Sequence, residues 1–323
     1  MIRILTTLLF FLSCSLHAQE FPNLLSPTTV TTVSFWNLGE SVQFNVKKSK
    51  QSFKGTDKKP KENRVFNYSF GVKVIDSTEN SYVLEMKYGK FTSDEKKKHD
   101  EQAIFDKLSS LHEGMKIIYR TNELGAFDTI LNLIDLKEQL LETLWKQKEI
   151  SLKEIKNPDD RQIYAEVFDE MISNFQDIEN IAALFMTDII PLHGYAGIQM
   201  ELSKAVDTEL DYPCIGDFVL KGTGKLTLNS IVKAADEFNF ISNDKPDPAE
   251  LKAYIKMIAG IFFMGDRKRP EISNLSISMT TKNKIKIELS TGWVKKASIT
   301  STVTVKEHKN SWKKKTISEY VKN

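Results

Sequence analysis

Arg64–Phe91 reads RVFNYSFGVKVIDSTENSYVLEMKYGKF. Phe66, Tyr68, Phe70, Val72 and Val74 take every second position, Asp76–Asn80 supply a polar turn, and Tyr82, Leu84, Met86 and Tyr88 alternate again. A period of two puts these side chains on one face of a pleated strand, so the stretch reads as an antiparallel hairpin with one apolar and one wet face. The same pattern extends in both directions. Upstream, Val42, Phe44 and Val46 alternate with Ser41, Gln43 and Asn45, and the basic run 47–63 (KKSKQSFKGTDKKPKEN) reads as a solvated hairpin connection. Downstream lies a short helix-like stretch at 103–111. It is followed by a strand at 115–121, a turn at Asn122–Gly125 and a returning strand.

The period then changes. From Leu133, the residues Leu136, Leu140, Leu141, Leu144 and Trp145 are spaced three and four apart, which is one face of a helix. A second helix opens at Asn157-Pro158-Asp159-Asp160, where Asn157 caps, Pro158 suits the first turn and the aspartates complement the positive helix end. Its stripe of Tyr164, Val167, Phe168, Met171, Phe175, Ile178, Ala182, Phe185 and Ile189 predicts one long helix, bent or broken, that Pro191 stops. Strands return at 198–212, 217–228 and 230–241. Asp247 and Glu250 have capping-box spacing ahead of a stripe of Leu251, Tyr254, Ile255, Ile258 and Phe262. Alternation at 275–279, 285–289, 297–305 and 316–321 completes the chain. The units 119–130 (YRTNELGAFDTI) and 288–300 (ELSTGWVKKASIT) share a strand, Gly-bearing turn, strand shape, a weak hint of a pseudo-repeat.

Antiparallel strands with an amphipathic helical middle predict an α+β fold: a large curved antiparallel sheet, half-barrel-like, with helices packed on one face. The expected organisation is a signal peptide at 1–18 and a single large domain at 19–323. Within it lie N-terminal strands (41–131), central helices (133–190), and C-terminal strands with one helix (198–323). The first eighteen residues, MIRILTTLLFFLSCSLHA, combine Arg3, an apolar core from Ile4 to Leu12 and a small residue at Ala18, the pattern of an export signal too short to span a bilayer. Cleavage near Ala18 predicts a periplasmic or secreted protein; acylation of Cys14 is the alternative. Cleavage leaves Cys214 alone, which excludes an intramolecular disulfide.

The export signal, the LGESVQFNV strand (38–46), the 64–91 hairpin and GMKIIYRTNELGAFDTI (114–130) followed by helices together resemble uncharacterised secreted proteins of Gram-negative bacteria. More distantly, the pattern is similar to half-barrel periplasmic carriers of lipoproteins or lipids. The resemblance implies an open sheet able to hold a lipid-like ligand and supplies no functional residue.

Chemistry leaves few marks. Basic and acidic residues balance at 45 against 43, so no global charge draws the chain to nucleic acid. The five histidines have no HExxH spacing, so no metal site is expected, and no G-x-S-x-G elbow is present, so no catalytic residue is assigned. His193, in PLHGYAG, reads as part of a helix-ending loop. Gly222 and Gly224 read as a turn or strand bend rather than a phosphate loop. The run KEHKNSWKKK (306–315) reads as a solvated loop able to touch an anionic headgroup. The expected function is non-catalytic and cofactor-free: a monomer binding an apolar small molecule or lipid between sheet and helices, through Phe168, Met171, Phe175, Phe185 and Phe262. Two alternatives stand beside it: an envelope interaction protein docking a partner through a sheet edge or Phe35 and Trp36, and a secreted hydrolase with an unrecognised site.

Overall fold

The computed structural model describes residues 21–93, 112–213, 219–262, 275–307 and 310–323. Residues 1–18 with Cys14 and Ala18, the expected helix at 103–111, Cys214, His99 and His308 lie outside the described residues. The N-terminal strands are β1 (Leu24–Ser26), β2 (Thr29–Thr31), β3 (Ser41–Lys54), β4 (Glu62–Thr78), β5 (Ser81–Tyr88), β6 (Thr92–Ser93), β7 (Lys116–Asn122) and β8 (Phe127–Ile130). Three helices follow, α1 (Leu133–Glu154), α2 (Pro158–Asn174) and α3 (Ile178–His193). The rest is β9 (Gln199–Glu201), β10 (Ala205–Pro213), β11 (Val219–Val232), β12 (Glu237–Pro246), α4 (Pro248–Phe262), β13 (Leu275–Ile287), β14 (Val294–Glu307) and β15 (Asn310–Lys322).

The fold is α+β, with one open, curved antiparallel sheet of 12 strands. Its order is β10-β11-β12-β13-β14-β15-β3-β4-β5-β7-β8, with β6 beside β4. Two meanders meet at a central seam where the last strand pairs with the first long one, from Trp312↔Lys54 to Lys322↔Phe44. The outermost strands, β8 and β10, flank the helical segment in the chain, so α1–α3 run from one edge of the sheet to the other. A second sheet of three short strands, β1-β2-β9, stands apart.

One face of the large sheet forms the core. Val42, Phe44, Val46, Phe70, Val72, Val74, Leu84, Met86, Ile117, Phe238, Phe240 and Ile285 are buried in one cluster with Leu136, Leu140 and Leu144 of α1, Ile172 of α2, and Ile181 and Ile189 of α3. Each such side chain contributes about 1.5–3 kcal/mol by leaving water. The paired Gly turns have a shared task. The N–H of Ser34 donates to Leu124 O at 3.1 Å and that of Phe35 to Thr291 O at 3.0 Å, so the turns after β7 and after β13 grip one N-terminal segment. Gly125 (φ 89°) and Gly292 (φ 78°) have left-handed backbones, and a Cβ on either would run into Val33 or Ser34. Trp36, only 6% exposed, stacks on Trp293 with ring centroids 4.2 Å apart, so it is an interior anchor rather than a docking residue; Phe35 is exposed.

Several local expectations are corrected. The long helical stretch is broken, one of the two expected forms: α2 ends at Asn174 and α3 restarts under the Asp177 cap, whose carboxylate accepts from Glu179 N at 3.0 Å. Pro191 does not stop α3 but sits inside its last turn. It has no N–H for the Thr187 carbonyl; the Tyr320 hydroxyl oxygen lies 3.3 Å from that carbonyl, but its one proton goes to Asp188 Oδ1 at 2.8 Å. The expected strand at 198–212 is broken at Ser203, in a left-handed conformation (φ 63°). Of the two readings of Gly222 and Gly224, the strand holds and the turn does not: both lie inside β11. The basic run after Lys47 is mostly strand, since β3 continues to Lys54, and Trp312–Lys315 belong to β15.

Candidate ligand-binding cleft

α3 has two working faces. Ile181, Phe185, Asp188, Ile189 and Leu192 are buried toward the core. Ala183, Met186, Thr187 and Ile190 face a cleft of about 630 Å³ between the helix and the β10–β14 part of the sheet. Ile190 is 43% exposed, an apolar side chain with open space beside it.

Strand register builds the opposite wall in rows. Thr208, Gly224, Asp244, Thr281 and Ser301 are successive cross-strand partners on β10, β11, β12, β13 and β14. The adjacent inward row is Leu226, Ser242, Asn283 and Ile299. Leu210, Met279, Tyr195 and Ile198 complete the apolar lining. The cleft is thus apolar on the helix side and carries a polar group on the sheet side.

That group centres on Asp244. The Ser242 hydroxyl lies 2.5 and 2.6 Å from the two carboxylate oxygens. The Asn283 amide NH₂ donates to Asp244 Oδ2 at 2.7 Å and to Ser242 Oγ at 3.0 Å. Gly224 makes room for the cluster: a Cβ there would collide with Asp244 Oδ1 and would lie 2.6 Å from Thr208 Oγ1. Burial pushes the Asp244 carboxyl above its usual range, against the opposing hydrogen bonds from Ser242 and Asn283. No Lys or Arg is among the described lining residues.

Behind α3 lies a second buried carboxylate. Asp188 accepts from Lys48 Nζ (2.7 Å), Tyr68 OH (2.7 Å) and Tyr320 OH (2.8 Å) on Oδ1, and from Tyr88 OH (2.8 Å) on Oδ2. Burial pushes this carboxyl up, but the Lys48 ammonium and the hydroxyl donors outweigh it and leave it below its usual range. The three tyrosines are pushed up by burial and by the Asp188 charge. The cluster ties α3 to β3, β4, β5 and β15. His193, the last residue of α3, is buried rather than in a loop. Its Nδ1 lies 3.0 Å from the Gly125 carbonyl and its Nε2 2.9 Å from the Tyr119 hydroxyl. The carbonyl can only accept, so Nδ1 carries the proton and the tyrosine donates to Nε2. Burial lowers its pKa to about 4.

Phe168 and Phe185 are fully buried in the core cluster, and Met171 and Phe175 pack against it, partly buried. None of the four is among the residues lining the cleft. Phe262 closes α4, and its side chain lies outside the described residues. The cleft instead uses the opposite stripe of α3, where Met186 and Ile190 alternate with small residues, and a strand whose polar end resembles a loop in sequence. The inward alternation Phe238, Phe240, Ser242, Asp244 was the available signal.

No protein-family model matches the chain, and no curated protein matches it. A solved structure titled "Lipid-protein interactions in lipovitellin" is similar, with a TM-score of 0.42 and 8% sequence identity. The likeness covers 90% of this chain and 25% of that one, so the chain spans about a quarter of that neighbour's length. The fold and cleft define an open-sheet α+β protein with an apolar cleft beneath a helix.

Proposed function

We propose that the protein is a non-catalytic binder that holds a hydrophobic, lipid-like ligand between α3 and the inner face of the sheet. The observation that carries this reading is the cleft itself. Its volume of about 630 Å³ is in the range of small-molecule sites, and Met186, Ile190, Leu210, Leu226, Met279 and Ile299 give it adaptable apolar walls. Leu226 belongs to the core cluster and Ile299 packs against it, whereas Met186, Ile190, Leu210 and Met279 stand outside it and present apolar surface to the cleft. The reading includes export, with cleavage near Ala18 and action as a monomer outside the cytoplasm.

The test is to purify the mature protein, extract it with organic solvent and analyse the extract by mass spectrometry. A parallel titration uses the apolar fluorophore N-phenyl-1-naphthylamine. Recurrent lipid in the extract, or saturable probe binding that Ala183→Trp abolishes by filling the cleft, is the expected result. An empty extract together with no saturable probe binding overturns the reading.

A further inference from the structure

We propose that the polar end of the cleft recognises an ammonium head, so that the ligand is an amphiphile bearing a protonated primary amine. This rests on the hydrophobic-ligand reading above and adds the head-group chemistry to it.

Three observations meet at Asp244. First, the carboxylate is buried, and no described Lys or Arg pairs with it. A buried charge without a counter-ion costs free energy that a ligand cation can return. Glu209 also borders the cleft, but alternation along β10 turns its side chain to the face opposite Thr208 and Leu210, and the described lining residues include no Lys or Arg.

Second, an acceptor beside the carboxylate stands unused. Asn283 is 6% exposed, and its Oδ1 has no hydrogen-bond partner. The orientation of this amide is fixed by its neighbour: the atom 2.7 Å from a carboxylate oxygen must be the NH₂. Asn283 is among the residues lining the same cleft as Asp244, its Oδ1 lies just beneath the surface and closed to solvent, and a buried carbonyl without a donor is disfavoured. A primary ammonium carries three donors and no acceptor, which suits a carboxylate and an amide oxygen side by side. A quaternary ammonium has no N–H to offer Asn283, and a carboxylate or phosphate head would meet Asp244 as a like charge.

Third, the site is built in advance. Gly224 is small where Asp244 Oδ1 needs space, and Ser242 and Asn283 orient the carboxylate from within the sheet. Lys48 is committed to Asp188. Lys50 lies two strands beyond Ser301 in the same row (Ser301↔Thr316↔Lys50), about 10 Å away at the usual strand spacing.

Dodecylamine, dodecanol and dodecanoate share one tail and differ only in the head. Each is titrated below its micelle concentration at pH 7, by displacement of N-phenyl-1-naphthylamine. The expected order is amine, alcohol, carboxylate, with at least tenfold between first and last. Asp244→Asn should bring the three within about twofold. Thr281→Lys, which places a cation across the strand from Asp244, should remove the amine preference, so that dodecylamine no longer binds more tightly than dodecanol; this variant serves if Asp244→Asn folds poorly. Equal binding of all three heads, a carboxylate preference, or an amine preference that survives both variants overturns the head-group assignment and leaves the apolar-ligand reading standing. Binding of none overturns both.

Discussion

Asp188 and Asp244 are both buried aspartates, one behind α3 and one in front of it, and they are solved in opposite ways. Asp188 has an ammonium and three phenolic hydroxyls, and its carboxyl is held below the usual range. Among the described residues Asp244 has a hydroxyl and an amide but no cation, and burial raises its carboxyl. The first is complete within the chain, as expected of a group that fastens a helix to a sheet. The second has no counter-ion among the described residues, which is what the proposed ammonium head would supply. Burial alone therefore does not distinguish a structural charge from a binding one; the count of donors and counter-ions does.

The largest effect expected from breaking this contrast is at Asp188. Asp188→Ala leaves the Lys48 ammonium and three buried hydroxyls without their acceptor, and a loss of about 3–5 kcal/mol in urea unfolding is expected. Next is His193, on the same helix. Its folded pKa of about 4 lies below the ordinary value of 6.5, so the unfolded chain takes up a proton that the folded one refuses. Stability from this residue is fully present above pH 6.5 and falls as pH drops toward 4, by about 3 kcal/mol in all. Unfolding curves from pH 7 to 4 should show the slope, and His193→Gln should lack it.

Gly224→Ala tests the front of the helix, since the added methyl must displace Asp244 or Thr208; about 1–3 kcal/mol is expected, together with loss of probe binding in the cleft. The smallest effect is at Asp244 itself. Asp244→Asn should change stability at pH 7 by less than about 1 kcal/mol, because it removes an unpaired buried charge. The raised carboxyl also fixes a sign. The folded protein binds this proton more readily than the unfolded chain, so the group's destabilisation present at neutral pH is relieved as pH falls through its raised pKa. Any advantage of Asp244→Asn should therefore shrink on acidification. A loss at Asp244→Asn as large as that at Asp188→Ala would erase the contrast.

Local rules made much of the architecture legible. The 64–91 hairpin, the Asn157 cap, whose side chain accepts from Asp159 N at 2.9 Å, and the Asp247 cap all follow from side-chain period and capping chemistry. The Glu250 half of the capping box does not: its carboxylate accepts from Lys221 N on β11, a partner 29 residues away. The seam between β15 and β3, the break at Ser203 and the insertion of Pro191 each depend on contacts distant in sequence, which a window of neighbouring residues does not contain. The site was hidden for a related reason. Large aromatic residues at helical spacing mark the face that fills the core, so the Phe168–Phe185 stripe points to packing. The cleft lies where side chains are small or polar, and Ser242-Asn243-Asp244 has the composition of a turn although it continues β12.

The seam between the chain's two ends has a consequence for assembly. β3 is made early and β15 last, so the 14-residue β3 has an unpaired edge until the final strand arrives. Closing that pair joins residues more than 250 positions apart, a slow step by chain-connectivity arguments. Until then, β3 is a template on which another molecule could add a strand. The lysines at 47, 48, 50 and 54, with those at 313, 314, 315 and 322 on β15, make both waiting edges basic; in the native register none of them faces another and Lys47 lies opposite Glu319, so the charge disfavours pairing between copies more than it opposes the seam. The basic character of these strands thus protects the half-made sheet during the interval before its last strand docks.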